Sequence, residues 1–126
     1  EWNLEPLWNV APPSFKDHLL RLFGARDPDD LFAKVRQYSL NGVAEQITCP
    51  IYLLQGSEDW IIHRPIEAAL RIARECKGPA TVRIIERDEG VAGVCHCQKD
   101  NLHVAHLVTF NWFVDHLGAP PKKPLR

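Results

Sequence analysis

An acid just beyond one apolar run and a histidine in a polar loop beyond the next are the residues whose types and order suggest chemistry. Asp59 follows "PIYLLQG", and His96 stands in "GVAGVCHCQKDN" after "ATVRIIER". If those two runs are neighbouring parallel strands, both loops leave the same edge of the sheet and the two side chains can meet. A carboxylate hydrogen-bonded to an imidazole fixes its tautomer and stabilises the imidazolium formed when the ring takes a proton, as general base catalysis near neutral pH requires. If they do not meet, Asp59 is a loop cap and His96 a surface residue.

The same stretch offers other readings. Cys95, His96 and Cys97, with His103 and His106 downstream, carry zinc-type ligands. One intervening residue is closer than the usual two-to-four-residue ligand spacing, however, and His103 and His106 fall inside an amphipathic helical pattern, so no metal is expected. A thioredoxin-like redox pair needs two intervening residues. Cys95 and Cys97 are therefore read as packing around the ring, with Cys97 tuning the polarity beside it. His63, next to Arg64, is read as solvated, and His18 and His116 as helix-surface residues. Glu58 and Glu89 lie near the loops without a feature that picks them out.

These residues need elements to place them. "SFKDHLLRLFG" has Ser14 as an N-cap, Phe15, Leu19, Leu22 and Phe23 at helical spacing, and Gly24 as its stop. "DPDDLFAKVRQYS" repeats the signal, with Asp27 as cap, Pro28 at the first helical position, acids in the first turn, and Leu31, Val35 and Tyr38 on one face. The apolar run "PIYLLQG" reads as a central parallel strand buried on both faces. "PIEAALRIARECKG" is a helix opened by Pro65 and ended by Gly78, "ATVRIIER" a second strand, and "LHVAHLVTFNWFVDHLG" a last helix stopped by Gly118. Asp100 and Asn101 are expected to cap that helix, with Phe110, Trp112 and Phe113 as its core stripe. The order βαβα predicts an α/β fold with a parallel sheet, whose active residues sit at the carboxyl ends of the strands.

At 126 residues and 45% hydrophobic, the chain can bury one core but is short for a multi-layered enzyme. Its formal net charge of −1, with basic residues scattered apart from "PPKKPLR", gives no footprint for nucleic acid or an anionic membrane. No apolar run approaches the roughly 18 residues of a membrane span. Four irregularly spaced cysteines suit a reducing cytoplasm better than a disulfide-stapled secreted domain. Without methionine, and starting at Glu1, the chain reads as a processed or excised piece.

"ITCPIYLLQGSEDWIIHRP", "VRIIERDEG", "HCQKDN" and "FNWFVDHLG" resemble, over roughly residues 40–118, the C-terminal part of α/β-hydrolases. The nearest in character are dipeptidyl-aminopeptidase-like and 2,6-dihydroxypseudooxynicotine-hydrolase-like enzymes, together with fungal hydrolases that shorten polyketide chains. The resemblance implies Asp59 as triad acid and His96 as triad base. It divides the chain into a helical cap or lid (1–45), the C-terminal part of the hydrolase core (46–118) and a proline-rich tail (119–126). The loop before His96, "RDEGVAGVC", is longer than the turn common in that family.

The family's serine lies in a "GxSxG" elbow that precedes the acid and histidine, with an oxyanion hole beside it. Neither is found here: Ser14, Ser39 and Ser57 lack flanking glycines in that pattern. The expectation is a hydrolase fragment without its nucleophile, needing no cofactor, acting on a small ester, amide or ketone-activated C–C bond, and partnered by an upstream half or by itself. The alternative is a noncatalytic interaction module on a degenerate hydrolase scaffold.

Overall fold

The computed structural model describes residues 4–118. It is a mixed structure of five α-helices and a two-stranded parallel sheet, in the order α1 (Glu5–Val10), α2 (Pro13–Leu22), α3 (Pro28–Val35), β1 (Ile51–Gly56), α4 (Pro65–Glu75), β2 (Ala80–Ile85) and α5 (Leu102–Leu117). Short 3₁₀ turns lie at Ala44–Gln46, Arg87–Glu89 and His96–Gln98. No described helix is long and apolar enough to cross a membrane.

The first three helices build a core of their own. Leu31 and Val35 of α3 are sealed from solvent, and Leu4, Leu7 and Leu19 close around them, with Trp8 meeting Phe32 edge to face. α3 starts where Asp27 accepts the Asp30 N–H at 2.8 Å, with Pro28 following, as its sequence predicts. α2 starts differently from expectation: Pro12 is its cap and Pro13 its first residue, so Ser14 lies within the helix. Proline is favoured there because the first N–H has no helical partner to lose. At its other end Gly24 turns left-handed (φ 56°), and the Gly24 and Ala25 N–H groups close onto the Arg21 and Leu20 carbonyls, satisfying the last turn. α1 carries no strong sequence signal; it forms because Leu4 and Leu7 find that core. Leu22 and Tyr38 are exposed, contrary to their place in the periodic stripes, and α3 ends before Tyr38 is reached.

β1 and β2 pair in parallel from Ile51 opposite Ala80 to Gly56 opposite Ile85, with α4 as the crossover. α5 packs on the face that carries Tyr52 and its register partner Thr81: Trp112 stacks on Tyr52 at 5.4 Å, and its Nε1–H donates to Thr81 Oγ1. In β1 only Gln55 and Gly56 are buried, while residues 51–54 are partly open. With two strands each strand is an edge, so burial on both faces does not extend along β1. α5 begins at the Asn101 cap, whose Oδ1 accepts the Val104 N–H, but Asp100 does not cap it. Nor is Phe110 or Phe113 in a core; both are exposed, because α5 is apolar all round and only the Trp112 side reaches the sheet.

The helical core makes a direct stability prediction. Leu31→Ala should lower the free energy of unfolding by about 2–5 kcal/mol, measured by urea denaturation, whereas Leu22→Ala at the exposed position should change it by no more than about 0.5 kcal/mol.

Candidate active site

Asp59 and His96 meet. The His96 Nδ1–H donates to Asp59 Oδ2 at 2.9 Å, at the carboxyl ends of the two parallel strands. Backbone contacts bring the loops together first: the Ser57 N–H donates to the Ile85 carbonyl at 3.0 Å and the Glu58 N–H to the Val94 carbonyl at 2.9 Å. Gly56 lets this happen, since a Cβ there would overlap the backbone carbonyl of Val94. Outside the backbone, Arg87 forks onto the Glu58 carboxylate and ties one loop to the other.

Asp59 is 5% exposed and its carboxylate is fully engaged. Oδ1 accepts the Ile61 N–H at 2.9 Å and the Ile62 N–H at 3.3 Å, an Asx-type turn that folds the loop onto its own acid. Oδ2 accepts the Gln55 Nε2–H at 3.1 Å together with the His96 ring. Gln55 also donates to the Gly56 carbonyl at 3.0 Å, so its amide is held in the orientation that faces the acid. Burial pushes the Asp59 carboxyl up, but hydrogen bonds from His96, Gln55, Ile61 and Ile62 outweigh it and hold its pKa below the ordinary carboxylate value. The acid therefore stays charged at neutral pH and acts as acceptor only.

The His96 side chain is 31% exposed, so one edge of the ring faces solvent. With Nδ1 protonated and turned to Asp59, Nε2 carries the lone pair, and among the described residues nothing hydrogen-bonds it. That is the arrangement of a base awaiting a proton donor. Ser57, the nearest serine in sequence to the acid, makes no side-chain bond to the ring.

This chain matches no family model, no curated protein and no solved structure.

Several neighbours stand differently from their sequence reading. Cys97 is exposed, with a left-handed backbone (φ 52°), where packing was expected; Cys95 is partly buried, and all four cysteines are free thiols. Among the described residues no three His, Cys, Asp or Glu side chains form a group able to hold a metal. Glu58 and Glu89 are committed to Arg87 and Arg83 respectively. His63 and His18 are exposed, and His116 is held on its own helix, bonded to the Trp112 carbonyl and stacked on that indole. Residues 119–126, the expected tail, lie outside the described residues. Sequence reasoning missed Gln55, although a polar residue ending an apolar strand is a signal that it faces something polar.

Two measurements check the pair. Long-range ¹⁵N–¹H spectra should show neutral His96 as the Nδ1–H tautomer, and Asp59→Asn, which can turn an N–H donor toward Nδ1, should convert it to Nε2–H. Because the folded pKa of Asp59 is depressed, the stability it contributes is complete above the unfolded value of about 4 and lost as pH falls through the lower folded value. Below about pH 4, unfolding free energy should therefore decline more steeply in the wild-type chain than in Asp59→Asn. At pH 7 the variant should already be less stable by roughly 1–3 kcal/mol, since donors around the acid lose an acceptor.

Proposed function

We propose that this chain supplies the acid and base of a serine hydrolase whose nucleophile lies outside these residues, on a scaffold resembling the C-terminal part of an α/β-hydrolase. The carrying observation is the 2.9 Å bond between His96 Nδ1 and a buried, four-fold hydrogen-bonded Asp59 carboxylate. In this reading a serine attacks the carbonyl of an ester, amide or ketone-activated C–C bond. His96 Nε2 takes the serine's proton and returns it to the leaving group, while Asp59 orients the ring and stabilises its charged form. Residues 1–45 serve as a helical cap over the substrate.

Two further observations support the need for additional structure. Among the described residues the sheet has unpaired edges, and α5 turns Leu107, Phe110, Val114 and Leu117 to solvent. An upstream half bearing the elbow, or a second copy, would cover them. Four free thiols suit a reducing compartment, which supports a cytoplasmic location. A noncatalytic interaction module is the second reading, in which the apolar face of α5 at Leu107, Phe110, Val114 and Leu117 meets a binding partner.

The coding sequence upstream of Glu1 separates the two. A "GxSxG" elbow there supports the hydrolase. With the joined chain assayed on an aryl ester, His96→Ala should lower kcat by about 10²–10⁴-fold; full activity in that variant would remove His96 from the mechanism.

A further inference from the structure

Between His96 and α5 the backbone takes a path that ordinary side chains disfavour. Cys97 (φ 52°) and Gln98 (φ 51°) are both left-handed, and neither is glycine. Such residues persist only where surrounding contacts over-determine them. Here Gln98 is buried, its N–H donates to the Cys95 carbonyl at 3.0 Å, and its own carbonyl accepts the Asn101 N–H at 2.9 Å; Asp100 adds a side-chain clamp beside this turn. The turn folds its carboxylate back onto the three residues before the histidine: Oδ2 accepts the Gly93 N–H at 2.7 Å and the Val94 N–H at 3.1 Å, and Oδ1 accepts the Cys95 N–H at 3.2 Å. The Val94 carbonyl meanwhile accepts the N–H of Glu58, the residue before Asp59. Segment 93–95 is thus held from one side by Asp100 and from the other by the loop of the acid, and His96 is the next residue along.

We propose that Asp100 is a positioning residue for His96, clamping the backbone that delivers the imidazole to Asp59. The proposal rests on the reading of His96 as a catalytic base; Asp100 itself touches no reacting atom. Its hydrogen bond from Gly93, opposed by slight desolvation and reinforced by those from Cys95 and Val94, holds the carboxyl of this exposed residue below the ordinary value, so the clamp is charged at neutral pH. The glycine at 93 (φ 124°) allows the first N–H to turn toward the carboxylate. The left-handed pair supplies the reversal that brings residue 100 back to residue 93.

The test uses the ¹⁵N-labelled chain itself. In Asp100→Asn one oxygen acceptor becomes an N–H₂ donor, so at least one of the Gly93, Val94 and Cys95 amides loses its acceptor and should exchange with solvent faster by about tenfold or more. At the same time the His96 imidazole should change from the Nδ1–H tautomer to a mixture. Asp100→Ala, which removes the acceptors without adding a donor, should move both readouts in the same direction, and it decides the matter if Asp100→Asn does not fold. Faster amide exchange with unchanged His96 nitrogen shifts would make Asp100 a loop tie with no hold on the ring, and would overturn the proposal; so would no change in either readout. Neither readout needs substrate or nucleophile, so failure here is distinct from failure of the hydrolase assay.

Discussion

A carboxylate taken out of water needs donors for its oxygens, and around Asp59 that requirement organises the structure. Its donors come from a strand end (Gln55), from the loop it sits in (Ile61 and Ile62), and from a loop far along the chain (His96). No one element could supply all of them. The parallel register sets the two loops side by side, and Gly56 allows the closest backbone approach. Remove the acid and several donors lose a shared acceptor, so the site behaves as one network and not as a sum of pairs.

The network reaches into the helical part of the chain through Ile61. Its N–H donates to Asp59, and its side chain packs against the cluster of Leu4, Leu7, Leu19, Leu31 and Val35. The first three helices and the sheet are therefore joined at the residue that orients the acid. A cleft of about 360 Å³ between α1 and this loop, with Val10 and Trp60 among its walls, lies along the same junction. The helices expected to form a cap or lid thus hold part of the acid's own turn. Movement of α1 to α3 relative to the sheet would be felt at Asp59 Oδ1, on the side of the carboxylate away from the histidine.

How much of this was legible in the sequence depended on whether a local signal and a tertiary fact coincided. Asp27 with Pro28, Pro65, Asn101 and Gly118 mark helix ends by backbone chemistry that acts within a few residues, and the structure places ends there. Periodicity identified the helices but not which side is covered. Tyr38, Phe110 and Phe113 fit apolar stripes, yet burial depends on what covers them, and each meets one neighbouring ring and stays exposed. β1 was legible as a parallel strand, while its partial exposure follows from the number of strands, which its own residues do not encode.

The Asp59–His96 contact could be inferred across a long stretch of sequence because topology reduces the problem: a strand, a crossover helix and an adjacent parallel strand leave both following loops at one edge. Asp100 had no such guide. Next to Asn101 and just before a helix, it fits a cap by every local rule, and Asn101 does cap. Only the left-handed backbone at Cys97 and Gln98, residues with no glycine-like preference for that region, turns Asp100 toward residues 93–95. A conformation that local propensity opposes leaves no trace in a propensity reading. The histidine was therefore legible through the order of elements, and the device that holds it was not, because its formation depends on contacts that exist only once the two loops have met.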